Sequence, residues 1–200
     1  MQDNVILYGD YIEPNSTAEH SILQFKVSTL NTDQLWENGF QTATYLSGFW
    51  SKFFSSYNQQ VIADIENSIR YISAELIGNA VKYGYQSDLA VKIILSAPNS
   101  EIHFFVQNKV TNTDAIEYQD AIKNLLSSDP EKMYVDQMEQ NAVDKSATSC
   151  IGLLTIILDY GGNLGWKFEV EENSDAMIAT TTVRLPVIEN LLSSPTPTIA

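Results

Sequence analysis

Glu75, Asn79 and Lys82 are the residues of this chain whose types and spacing could do chemistry. Ile62, Ile65, Ile69, Ile72, Leu76 and Ala80 recur around them at three- and four-residue steps, a spacing that predicts one long amphipathic helix with a core-facing stripe. At 100° per residue the three polar side chains fall within about 60° of one another, on the flank of that stripe. A carboxylate and an amide held at fixed separation on a rigid helix suit a hard cation, while a plain solvated face with an i, i+4 pair would look the same in sequence.

The elements that must position this helix follow from the patterning on either side. Val5–Tyr8 is a short apolar run and Ser21–Thr29 alternates as a strand, with turn chemistry between them at Glu13-Pro-Asn-Ser-Thr. Residues 31 to about 56 predict one or two helices, with Leu35, Phe40, Tyr45, Phe49 and Phe53 at helical steps. Trp36, Trp50, Phe54 and Tyr57 make this segment strongly aromatic, which fits ordinary core, a dimer seam or a stacking surface for a planar ligand.

Beyond the central helix, Leu89–Ser96 and Glu101–Asn108 predict a hairpin. Two helices follow, Asp114 to about Leu126 and Pro130 to about Val143, the second started by a first-turn proline. The apolar run Ile151–Leu158 predicts another helix, closed by Asp159-Tyr-Gly-Gly162. Strands at Leu164–Glu171 and Ala176–Pro186 complete the chain, joined by a turn at Asn173-Ser-Asp175. This order predicts an α/β fold, a two-layer sandwich of a mixed β-sheet and helices.

Composition narrows the function. The 200 residues are 44% hydrophobic, enough for the core of one compact domain. The net charge of −14 lacks the basic footprint that nucleic acid or an anionic membrane would require, so proteins or small molecules are the expected partners. Cys150 is the only cysteine, which excludes an internal disulfide and points to a reducing compartment. The start Met1-Gln-Asp-Asn lacks the regions of a signal peptide and no apolar run is long enough to span a bilayer, so a cytoplasmic location is expected. His20 and His103 are isolated from each other and from Cys150, and they assemble neither a metal cluster nor a nucleophile triad.

The run Glu75-Leu-Ile-Gly-Asn79-Ala-Val-Lys82-Tyr83 resembles the N-box of the GHKL, or Bergerat-fold, ATPase superfamily, and implies a histidine-kinase-like ATPase fold. Within that superfamily, Tyr134-Val-Asp-Gln-Met-Glu-Gln-Asn141 and Asp159-Tyr-Gly-Gly-Asn-Leu-Gly-Trp-Lys-Phe168 resemble a branch of the SiaB-type regulators, bacterial proteins related to anti-sigma-factor kinases. The resemblance implies that Glu75 polarises a water or hydroxyl, as the catalytic base if the chain is a kinase. It implies that Asn79 holds magnesium if ATP is bound. It places Glu75, Asn79, Lys82, Tyr83, Asn108, Cys150 and Gly152 around the ligand.

Two departures bear on that ligand. The Asp-x-Gly-x-Gly box that should follow Asn108 is replaced by Asn108-Lys-Val-Thr-Asn-Thr-Asp114, and the second glycine loop keeps only Gly152. Efficient ATP turnover is therefore not expected. The branch is associated with flavin, and FAD is slightly preferred over ATP with magnesium: it has no γ-phosphate for the missing glycines to hold, and aromatic residues could stack on its ring. Trp36, Trp50 and Trp166 are the candidate electron donors to such a flavin, as in a light or redox sensor.

Three functions follow as expectations. The first is a ligand-controlled signalling protein acting on a STAS-domain partner, the second a serine/threonine kinase on the same fold, and the third a ligand-free interaction module. The expected organisation is an amino-terminal strand and aromatic helical segment over residues 1–60, a ligand-binding core over 61–186 and a tail over 187–200. The aromatic segment also suggests a homodimer.

Overall fold

A computed structural model describes residues 5–27, 32–84, 89–97, 101–143, 150–171 and 176–187. The strands are β1 (Val5–Gly9), β2 (His20–Val27), β3 (Leu89–Ser96), β4 (Glu101–Thr111), β5 (Asn163–Val170) and β6 (Ala176–Pro186). The helices are α1 (Thr32–Trp50), followed by a 3-10 turn at Ser51–Phe54, then α2 (Gln59–Lys82), α3 (Asn112–Ser127), α4 (Pro130–Val143) and α5 (Ile151–Leu158). The six strands form one sheet in the order β1-β5-β6-β4-β3-β2. Its connections mix hairpins and crossovers, and its pairings are antiparallel. The expected two-layer α/β sandwich is what the chain forms. The turn at 173–175 and the tail beyond 187 lie outside the described residues.

Periodicity places α2 as expected. Ile65, Ile69, Ile72, Leu76 and Ala80 are buried, while Ile62 at the first turn is half-buried. Asn58 caps the helix by accepting from the Val61 N–H at 2.9 Å. Against this stripe lie Phe104, Val106 and Val110 of β4 and Leu164, Trp166 and Phe168 of β5, which alternate with outward-facing residues along their strands. β4 runs three residues past Asn108, because Val110 is buried and pairs with Met177. Among the described residues no helix is long and apolar enough to cross a membrane.

Helix α1 turns a different face inward from the one its large side chains mark. Phe40, Tyr45, Phe49 and Phe53 are exposed, and the buried residues are Gly39, Ala43, Leu46, Ser47 and Trp50, continued by Ser51 and Phe54 in the 3-10 turn. The reason is the closeness of α2: a Cβ on Gly39 would lie 2.9 Å from Ile77 Cγ2, so small residues at four-residue steps make the ridge that fits. Trp50 is anchored by its indole N–H, which donates to Ser21 Oγ at 2.8 Å.

β1 and β2 occupy opposite edges of the sheet, so residues 10–19 must pass from one edge to the other. Five strand spacings are about 24 Å and ten extended residues reach about 33 Å, so the segment can cross without slack. It sets out over the face opposite the helices. Gly9 adopts φ 59°, and the Asp10 N–H donates to Leu164 O at 2.8 Å. A Cβ on Gly165 would lie 2.3 Å from the Tyr11 backbone nitrogen. Lys167 then ties the segment down by donating to Glu13 at 2.9 Å, and the Lys167 hydrogen bond holds the Glu13 carboxyl below its usual range. Burial pushes Tyr11 up to about 12, so its hydroxyl stays a donor to Glu13 through the physiological range.

Replacing Gly165 by alanine must push this backbone off the sheet. Gly165→Ala is expected to lower the unfolding free energy by about 1–3 kcal/mol in urea titration, and an unchanged midpoint would contradict the close crossing.

Candidate functional site

The carboxyl-terminal half of α2 faces the start of α5 across a crevice roofed by α3. Glu75 and Asn79 from α2, Tyr83 just beyond its end, Tyr118, Ile122 and Leu125 from α3, and Cys150, Gly152 and Leu153 at the start of α5 line it. Five of the seven residues singled out in the sequence thus meet there: Glu75, Asn79, Tyr83, Cys150 and Gly152. The other two do not. Lys82 is exposed, with Nζ 5.1 Å from the centre of the Tyr83 ring, and Asn108 is buried on β4, where its amide donates to Lys109 O at 3.3 Å.

The tightest approach in the crevice is between Glu75 and Gly152. A Cβ on Gly152 would fall 1.8 Å from Glu75 Oε2, so the carboxylate occupies the space a side chain would need. Gly152 belongs to the first turn of α5, whose N-cap residue, Cys150, makes no side-chain capping bond. The carboxylate therefore stands where a helix start attracts negative charge. Burial nevertheless raises the Glu75 pKa above its ordinary value. The Cys150 thiol is also pushed up by burial, with the Lys82 charge and a Gln137 hydrogen bond pulling the other way. Gln137 of α4 fixes this turn by accepting from the Cys150 N–H at 2.7 Å.

Aromatic rings run from the crevice into the core. Tyr83 and Tyr118 stack with centroids 4.4 Å apart and planes 6° from parallel. The Trp166 indole donates to Tyr118 Oη at 3.2 Å, and Tyr118 Oη also meets Thr181 Oγ1 at 2.9 Å. Of the three tryptophans, Trp50 and Trp166 are buried structural residues. Trp36 lies across Gly78, where a Cβ would be 2.4 Å from its Cζ3, and lines a neighbouring hollow of about 120 Å³ that also touches Glu75. The contribution of α3 was not read from the sequence, because Tyr118, Ile122 and Leu125 look there like any apolar helical stripe.

The crevice itself is small. Its volume is about 30 Å³, the share of one water molecule, against roughly 300–1,000 Å³ for sites that enclose a drug-sized ligand. A nucleotide-sized ligand would need the described crevice to open, and a phosphate at α5 would meet the Glu75 carboxylate. Asn79 offers an amide oxygen, and among the described residues no three His, Cys, Asp or Glu side chains gather in a way that could hold a metal ion.

No protein-family model matches the chain, and no curated protein does. Among solved structures, a chain of the SiaB–SiaC complex from Pseudomonas aeruginosa is similar, with a TM-score of 0.51 and 13% sequence identity over 82% of this chain and 89% of that one. The likeness is one of fold.

Because the folded-state pKa of Glu75 is raised, the folded protein holds this proton more tightly than the unfolded chain. Stability is then lost as pH rises from 4.5 to the folded value, and the penalty is complete above it. Glu75→Gln is expected to be more stable than the parent at pH 7 to 8 in urea unfolding, with the advantage vanishing below the ordinary carboxyl pKa. A parent that is the more stable of the two at pH 8 would contradict the desolvated carboxylate.

Proposed function

We propose that this chain is a signalling regulator of SiaB type that acts by binding a second protein of the STAS class. The observation that carries this reading is the fold likeness, which spans most of both chains, to a protein crystallised as the SiaB–SiaC complex. In this reading the crevice between α2 and α5 is the input site. An adenine-containing ligand enters it by separating α3 from α2 and displacing the Glu75 carboxylate from Gly152, and the resulting shift of α3 alters the surface offered to the partner.

The arrangement suits a switch better than a standing nucleotide site, because the Glu75 carboxylate stands at the start of α5 where a ligand phosphate would have to sit. Protonated Glu75 would tolerate a diphosphate beside it, whereas the ionised form would repel one unless a cation came between. A kinase is the second reading, favoured by the placement of Glu75 and Asn79 on one crevice with the α5 start. Glu75 would then be the base and Asn79 a magnesium ligand. FAD remains the alternative ligand, with Tyr83 and Tyr118 as the nearest rings for its isoalloxazine.

A complex between the full chain and a STAS-domain protein of the same genome is expected on size-exclusion chromatography. Calorimetry with ATP–magnesium and with FAD should find binding of one of them, and Asn79→Ala should weaken it by at least about tenfold with little change in thermal midpoint. Heat from neither ligand, together with no complex, would overturn the reading. Flavin released on denaturation, seen as absorbance between about 350 and 500 nm, would decide the ligand for FAD.

A further inference from the structure

We propose that Tyr45, Phe49 and Phe53 form the seam of a homodimer, so that two copies pack through the outer faces of α1 and its 3-10 turn. These rings are 60%, 44% and 49% exposed, although α1 packs along α2 on its other side. They follow one another at four-residue steps with centroids 6.2 Å and 5.6 Å apart, a continuous ridge of the kind that seats in the groove of a facing helix. Phe53 is held in place by stacking on buried Trp50 at 4.8 Å, so the ridge is presented rigidly.

Charge selects the occupant. The chain carries 25 carboxylates and a net charge of −14, yet no Asp or Glu lies between Glu37 and Asp64, and Lys52 is the only charged residue in that stretch. Two copies repel wherever their acidic surfaces meet, and this stretch is where they can approach without opposing carboxylates. A basic partner would gain nothing from a surface without acidic residues, whereas a second copy brings the same uncharged ridge and satisfies the self-complementarity of a two-fold contact. Three rings at about half exposure offer about 100 Å² each, so two copies would cover roughly 600 Å² of aromatic surface. That is a sufficient centre for a standard interface, to be completed by a polar rim such as Gln41 and Thr44.

The inner face of α1 supports the same division. Its ridge of Gly39, Ala43, Ser47 and Ser51 lets α1 lie close along α2, while the rings of Phe40, Tyr45, Phe49 and Phe53 stand outside. The seam is remote in role from the crevice, so this inference stands independently of the proposed function.

Sedimentation velocity on the full chain tests it. A dimer is expected that tightens as salt is raised, because screening removes the repulsion between acidic bodies while the seam carries no ion pairs to lose. Phe49→Glu with Phe53→Glu should weaken dimerisation at least about 30-fold while circular dichroism and thermal midpoint stay unchanged. Tyr45→Glu is the second variant should the pair fail to fold. Leu7→Glu, on the apolar edge strand β1, should leave the dimer intact. A monomeric parent at all concentrations, a dimer that survives Phe49→Glu with Phe53→Glu or, should that pair not fold, Tyr45→Glu, or one that only Leu7→Glu dissolves would each overturn the proposal.

Discussion

The contact between the Glu75 carboxylate and Gly152 is the constraint on which the rest of the site depends. It joins the longest helix of the protein to the start of α5, and it is possible only because position 152 has no side chain. Once made, it fills the space at the helix start and leaves a crevice of about 30 Å³. Burial raises the energy of the charged form, and the positive end of α5 favours it. The shift goes upward, so burial is the stronger of the two. Protonation of Glu75 relieves that tension.

Two further close approaches hold α2 in the position this contact needs. On one side the small residues of α1 let the helices pack tightly, with Gly39 against Ile77 and Trp36 across Gly78. On the other side α2 rests on the inner face of a sheet whose outer face is crossed by residues 10–19. Glycines at 9 and 165 permit that crossing, and the Lys167–Glu13 pair secures it. Thr182 and Phe105, which continue the row of Gly165 across the sheet, are buried.

Much of this was legible in the sequence where one physical signal dominated. The α2 stripe follows from a strong helical period. Glu75, Asn79, Tyr83, Cys150 and Gly152, singled out in the sequence, line one crevice. Legibility failed where a local pattern could not report a distant neighbour. In α1 and its 3-10 turn the rings of Phe40, Tyr45, Phe49 and Phe53 mark an apolar stripe, but the close approach of Ile77 to Gly39 turns the face of Gly39, Ala43, Leu46, Ser47 and Trp50 inward. The edge position of β1 depends on a pairing with β5 that is more than 150 residues distant in sequence and that of β2 on a pairing with β3 more than 60 residues distant, and Asn108 is buried in β4 beside Lys109 and away from the crevice.

The Glu75 carboxylate thus stands at the start of α5, where the helix end attracts negative charge. The most direct measurement is the pKa of Glu75 itself, followed by carboxyl-carbon NMR in the full chain. The account predicts a titration above the ordinary value of 4.5, moving back toward it in Gly152→Ala, where the added methyl drives the carboxylate out toward water. A Glu75 that titrates at or below the ordinary value, unmoved by that substitution, would contradict it.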